Sequence, residues 1–377
     1  MVPFDSLIFF YILILLLIPA AILGFFGKKI KYYGAFITLI FCAIIFNTPV
    51  KFLFALSFIA WQLLLVKIFE IIIKKTKKRY LLWIFVALSL VPMILTKFKL
   101  KIAGNIFGIL GLSYLSFRCL QIIIDMYDGL IQRIKVFDFL YFVMFFPSIS
   151  SGPIDRSRRF CKELETGYSK EEYKELFKKG VWKIFSGVFY NFVISSLIYS
   201  YVLTPLGKSF FETVIYMFGY TFFLFFNFAG YSNMAIGTGY IIGVKMDENF
   251  NMPFAAVDMK DFWSRWHISL STWLRDYVYS RFVLSALKGK WFKDQYTASY
   301  IGYVITMMTM GIWHGFELHY IIYGAYHGAL MCLNDVLDNK VKGFKKLKRN
   351  KKYQPIFSLV TFLLFSFGLL IFSGRLF

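Results

Sequence analysis

Long apolar runs separated by short basic breaks recur from one end of the chain to the other. Residues 7–26, 32–47 and 52–73 each come close to the ~20 apolar residues that cross a bilayer as a helix, so the pattern predicts three spans. Basic groups at 28–31 and 74–79 belong on the cytoplasmic side and the loop 48–51 outside, which places the N-terminus outside as well. The first run has no basic n-region and no clear cleavage site, so it reads as a permanent span rather than a signal peptide. A fourth run, 80–96, contains Pro92, where a kink is expected. It ends at Lys97, Lys99 and Lys101, which simple alternation leaves outside, against the charge rule; either the segment re-enters or the span count slips there.

The next run, 104–125, carries Arg118 and Asp125 two helical turns apart on one face. Charges at this depth point into the protein, as a buried pair that orients helices or as a catalytic one. Two prolines, a glycine and three serines between Phe145 and Pro153 break any helix, and a basic turn follows at Arg156, Arg158 and Arg159. Such backbone is tolerated at membrane depth only when buried in protein or lining a cavity, so a re-entrant segment is predicted. Residues 161–180 are charged and amphipathic and read as an interfacial cytoplasmic helix. Residues 181–203 and 211–228 read as spans, and Ala229, Gly230, Ser232, Ala235 and Gly237 permit close helix packing after them. Asn249, Asn251 and Pro253 mark a loop.

Residues 262–282 carry a helical stripe of Trp266, Leu270, Trp273 and Tyr277 opposite Arg265, Ser269, Thr272 and Asp276, with His267 on its edge. Val283, Leu284 and Leu287, beside Arg281, Lys288 and Lys290, extend it as an apolar and basic surface. Spans at 297–313, 318–333 and 355–373 follow, with the polybasic stretch 340–352 before the last. The sum is an all-α polytopic membrane protein of about ten to twelve segments, some re-entrant or interfacial, in a single membrane-embedded domain over 1–377.

Composition agrees. The chain is 58% hydrophobic, where a soluble domain is about half apolar. The net charge of +22 sits in clusters that flank spans, which points to membrane lipid rather than nucleic acid. Cys42, Cys119, Cys161 and Cys332 show neither metal-ligand nor redox spacing, and no H-E-x-x-H or G-x-S-x-G motif occurs, so no metal site is expected.

The chemistry concentrates between Asp261 and Gly315, where His267 and His314 each follow a tryptophan. A neutral imidazole in an apolar site can take the proton of a hydroxyl that attacks an activated acyl group. Helix capping remains open for each histidine, and His319 and His327, flanked by tyrosines, read as packing residues.

The segments Phe145-Phe-Pro-Ser-Ile-Ser-Ser-Gly-Pro-Ile-Asp-Arg156, Asn227-Phe-Ala-Gly-Tyr-Ser232, Phe262-Trp-Ser-Arg-Trp-His267, Leu274-Arg-Asp-Tyr-Val-Tyr279 and Trp313-His-Gly315, in that order, resemble the membrane-bound O-acyltransferase family. The likeness covers a motif-bearing core at about 100–335 and is strongest to the family's branch that places D-alanine on teichoic acid in Gram-positive bacteria. The resemblance implies a ring of helices around a thin central tunnel, with His314 as general base and His267 as second histidine. It implies a donor thioester on the 4'-phosphopantetheine of an acidic D-alanyl carrier protein in the cytoplasm, with no cofactor bound to the chain itself. It further implies a teichoic acid acceptor outside, reached directly or through partner membrane proteins. Ser150, Ser151, Arg118, Asn227, Trp266, Trp313 and Arg265 are expected to line or support the tunnel, and Val283, Leu284, Leu287 and Lys288 to dock the carrier. Asn227 stands where relatives often carry Asp, and Asn233 likewise in the alginate-acetylating branch. The alternatives are acetyl transfer to an exopolysaccharide and, in a different class, transport of a lipid-linked polymer.

Overall fold

The computed structural model describes residues 2–98 and 109–377, together with the backbone of a two-residue strand pair, Lys101–Ile102 against Asn105–Ile106. Among the described residues, six helices are long and apolar enough to cross a membrane: Leu7–Phe25, Pro49–Lys75, Arg79–Lys97, Lys170–Leu203, Phe210–Ile241 and Gln354–Phe372. The expected span at 32–47 is the shorter apolar helix Lys31–Ile45. Those at 297–313 and 318–333 are the helices Gln295–His314 and Leu318–Lys340, whose threonines, histidines, asparagines and aspartates lower their hydropathy. Lys99 lies outside the described residues.

Contacts group the chain into two compact units, 1–188 with 230–247, and 189–229 with 248–377. In the first unit, Ser6 and Thr48 cap the helices Leu7–Phe25 and Pro49–Lys75 by accepting from the amides of Phe9 and Lys51. Gln62 and Ser89 bind each other reciprocally in the interior, at 2.7 and 2.8 Å, and so join Pro49–Lys75 to Arg79–Lys97. The latter helix runs through Pro92.

Three expectations change in this unit. Within the described part of the run 104–125 the helix is Leu112–Tyr127, started by Gly111, which enters the left-handed region (φ 79°); residues 104, 107 and 108 lie outside the described residues. A side chain at Gly111 would overlap the carbonyl of Ile149. Arg118 and Asp125 do not act as a pair. Arg118 is fully buried and donates to the carbonyls of Phe142, Val143 and Ser148 and to the Ser148 hydroxyl, while Asp125 faces Arg158 at 3.5 Å. The broken segment leaves its carbonyls without helical partners, and a guanidinium with five donors satisfies several at once. Finally, 161–180 is not one interfacial helix. Ser157–Thr166 ends at Gly167, and Lys170 begins the helix that continues to Leu203 as a span. Its charged first turns need no break, since they extend the span rather than interrupt it.

The second unit is built on the antiparallel pair Gln295–His314 and Leu318–Lys340. Gly311 and Gly324 let the two backbones meet: a side chain at Gly311 would strike the Tyr320 carbonyl, and one at Gly324 would stand 2.7 Å from that of Met307. The expected helix over 262–282 is broken once, at 264–267: Met259–Trp263 precedes the break, and after it Ile268–Leu274, a wider-turned stretch at Arg275–Tyr279 and Ser280–Lys288 run on without interruption. The polybasic stretch 340–352 is not uniformly solvated either. Lys348 is buried and bonded to Asp338 at 2.6 Å and Asp258 at 2.5 Å.

Candidate functional site

Both histidines lie in the second unit. His267 sits in the break before Ile268–Leu274, not on a helix face. The chain there returns against 249–251: Phe250 bridges Trp266, Asn251 N donates to Arg265 O, and Ile268 N donates to Asn249 O. Asn249 Oδ1 also accepts from the amide and hydroxyl of Ser269. Closing this turn forces His267 into the left-handed region at φ 44°, ψ 51°. A non-glycine residue held there by its surroundings is a mark of functional sites. Its ring is buried and stands edge-on to Phe228 with centroids 4.6 Å apart. His267 lies outside the candidate spans. Burial, with the charge of His314 adding to it, pushes its imidazole well below the ordinary value and keeps it neutral.

His314 ends the helix Gln295–His314 half-buried in a cage of rings. Trp313 and Phe372 stand edge-on at 4.4 and 4.8 Å, Tyr320 lies nearly parallel at 5.9 Å, and Tyr323 is edge-on at 6.5 Å. Phe372 ends the last span, so three helix ends supply this cage. Sequence reading missed Tyr320, Tyr323 and Phe372 as cage residues. The tyrosines' i, i+3 spacing on a helix facing His314 is the signal that could have found them.

The other residues singled out divide between the units. In the second, Trp266 is a core residue, stacked on Phe262 and packed on Phe250 and Phe365. Arg265 pairs with Asp261 at 2.7 Å, and the carbonyl of Asn227 accepts from the Asn191 side chain at 3.0 Å. His327 is fully buried among Trp263, Tyr323 and Tyr326. In the first unit, Ser150 shares a 2.5 Å hydrogen bond with Tyr231, Ser151 follows it in the broken segment, and Asp155 holds Arg159.

The anticipated docking surface changes in one member. On Ser280–Lys288, Leu284 and Leu287 are exposed, at 66% and 45%, and Lys288 is exposed too. Val283 is turned inward beside Gly302 and Tyr279. Trp291, 54% exposed, adds an apolar element that the sequence reading passed over.

With a histidine in a strained turn, a second at a helix end and several apolar spans, the architecture meets a known family. The profile of the membrane-bound O-acyltransferase family matches residues 22–374. The chain belongs to this family. It is 40% identical, over 389 aligned positions, to a teichoic acid D-alanyltransferase of Bacillus subtilis, covering all of this chain and 98% of that protein. A Streptococcus thermophilus protein of the same name is 34% identical over 99% of this chain and 95% of its own. A probable alginate O-acetylase of Pseudomonas aeruginosa is 32% identical over 78% of this chain and 52% of its own. As a membrane-bound O-acyltransferase with several apolar helices, the chain is a multi-pass membrane protein.

Proposed function

We propose that this O-acyltransferase moves D-alanine from the phosphopantetheine thioester of an acidic cytoplasmic carrier protein to a hydroxyl on the far side of a Gram-positive plasma membrane, for teichoic acid D-alanylation. The observation that carries the reading is the presence of two imidazoles in one unit, one buried in a left-handed turn, the other held at a helix end by rings. The names of relatives that align over nearly their whole length support the choice of acyl group and acceptor.

In this reading His314 takes the proton of the acceptor hydroxyl as its oxygen attacks the thioester carbonyl. The tetrahedral oxyanion collapses, the C–S bond breaks, and the proton passes from His314 to the departing thiolate. An ester and a free phosphopantetheine thiol result, with no net proton. His267, neutral through burial, positions the thioester or supports His314. Aromatic walls keep water from competing for the acyl group. Leu284, Leu287 and Trp291, bordered by Lys288, Lys290 and Lys293, offer an acidic carrier an apolar anchor inside a basic rim. Passage to the final acceptor, directly or through partner membrane proteins, belongs to the same proposal.

The test uses purified protein in nanodiscs with D-alanyl carrier and a hydroxyl acceptor. Wild type is expected to form ester, and His314→Ala to lose at least about a hundredfold in kcat, the usual share of a general base, at normal protein level. Full turnover by that variant refutes the assignment of His314. Transfer from an acetyl donor but not from D-alanyl carrier moves the protein to the exopolysaccharide-acetylating reading.

A further inference from the structure

In the first unit, where Leu7–Phe25 ends and Lys31–Ile45 begins, a groove opens with about 370 Å³ of empty space, part of it open to solvent. Lys28, Lys29, Lys31, Glu163 and Tyr168 are among its lining residues. Two of these charges are already answered. Lys31 is bonded to Asp138 at 2.8 Å. The Glu163 carboxylate accepts from Arg159 at 3.0 Å, from the Tyr168 hydroxyl at 3.2 Å and from the Lys245 amide at 2.6 Å. Lys28 and Lys29 are exposed, and Lys29 gives a single donor to the Glu165 carbonyl. Lys170, also exposed, lies across the turn beside Gly27. Two exposed ammonium groups, of Lys28 and Lys29, therefore line the groove, and Lys170, whose stem passes Gly27 in the adjoining turn, adds a third positive charge beside it.

An apolar strip leads to it. Ile18, Ile22 and Phe25 follow one another on one face of the first span, exposed by 50%, 50% and 38%, and Phe26 continues the strip at the groove's edge, 66% exposed. A free anion would use the lysines alone, whereas this face of the span already lies against hydrocarbon chains and leads directly to the groove. A molecule with an anionic head and hydrocarbon chains uses both. We propose that the groove binds the phosphodiester headgroup of an anionic phospholipid, with its acyl chains along the Ile18–Ile22–Phe25 face. A basic residue at the membrane surface favours anionic lipid by about fivefold, so three together give roughly a hundredfold.

The test does not depend on the acyl-transfer reading, because it measures lipid retention. Full-length protein in zwitterionic detergent is titrated with phosphatidylglycerol or phosphatidylcholine, and bound lipid is read by native mass spectrometry. Wild type is expected to retain phosphatidylglycerol strongly over phosphatidylcholine. The exposed triple variant Lys28→Gln/Lys29→Gln/Lys170→Gln should lose roughly a hundredfold in that preference. A charge-matched control, Lys346→Gln/Lys351→Gln/Lys352→Gln, should keep it. Equal retention of the two lipids by wild type, or an unchanged preference in the groove variant, overturns the proposal. Displacement by millimolar inorganic phosphate assigns the groove to a soluble anion and overturns it as well.

Discussion

His267 is neutral because it is buried, and that has a consequence for stability. An unfolded chain exposes this imidazole to water, where it gains a proton below about pH 6.5. The folded chain does not bind that proton until much lower pH. The unfolded state thus binds more protons as pH falls, and the folded state loses up to about 1.4 kcal/mol per pH unit below that point. Above it the group has no effect. Unfolding followed by tryptophan fluorescence in detergent should show a midpoint that drops from pH 7.5 to pH 5. His267→Gln, which cannot titrate, should lessen the drop, with the buried His327 left to account for part of what remains; an equal slope in wild type and variant would remove His267 as a source. The two histidines themselves were legible, because each is an ionisable group in an apolar context. The conformation of His267 was not. It follows from pairing with Phe250 and Asn249, which stand far off in sequence, and no local periodicity encodes such a turn.

At the level of elements, two predictions separate packing from docking. Gly111 starts the helix Leu112–Tyr127 where the broken segment passes over it. Gly111→Ala meets a left-handed backbone, which costs an L-residue about 1–2 kcal/mol, and adds overlap with the Ile149 carbonyl. The expected outcome is a lower yield of folded protein and a lower unfolding midpoint; unchanged values would show that the segment can shift. On Ser280–Lys288, Leu284→Asp should leave folding intact and weaken carrier binding by at least about tenfold, since a hot-spot truncation costs about 2 kcal/mol, measured by titration of the carrier. Val283→Asp should instead reduce folded protein, because that side chain packs beside Gly302. Period alone placed Val283 and Leu284 on one surface, and only the slot at Gly302 tells them apart. The case of 161–180 is different: its charges did suit an interface, but Gly167 and the capping box of Ser169 and Glu172, whose amides and side chains bond each other at 2.9 and 3.3 Å, are local signals that mark the break. Hydropathy, by contrast, placed Leu7–Phe25, Pro49–Lys75, Arg79–Lys97 and Gln354–Phe372 within a few residues, because one continuous apolar run is a strong and local signal; Lys170–Leu203 and Phe210–Ile241 extend well past the expected 181–203 and 211–228, where the helix runs on through charged or small residues.

For the molecule as a whole, the net charge of +22 bears on partner choice as well as on topology. Pairing inside the fold fixes where some of the basic residues act without changing that excess. Lys348 is consumed inside the fold by Asp258 and Asp338, and Lys260 by Asp335. The lysines beside Leu284, Leu287 and Trp291 are exposed, and a long-range field from them would draw in an acidic carrier before any apolar contact forms. Such steering decays over about 10 Å at 0.1 M salt and about 3 Å at 1 M. Raising ionic strength should therefore raise KM for the carrier while leaving kcat at saturating carrier unchanged, because on the proposed mechanism the proton transfer takes place among aromatic rings and not between surface charges. Lys288→Gln/Lys290→Gln should raise KM at low salt and flatten its dependence on salt, whereas Lys346→Gln/Lys351→Gln, equal in charge but placed elsewhere in the chain, should do neither. If both double variants flatten the dependence alike, the attraction comes from the whole charge of the protein and not from this helix, and the doorway for the donor must be sought on another basic face.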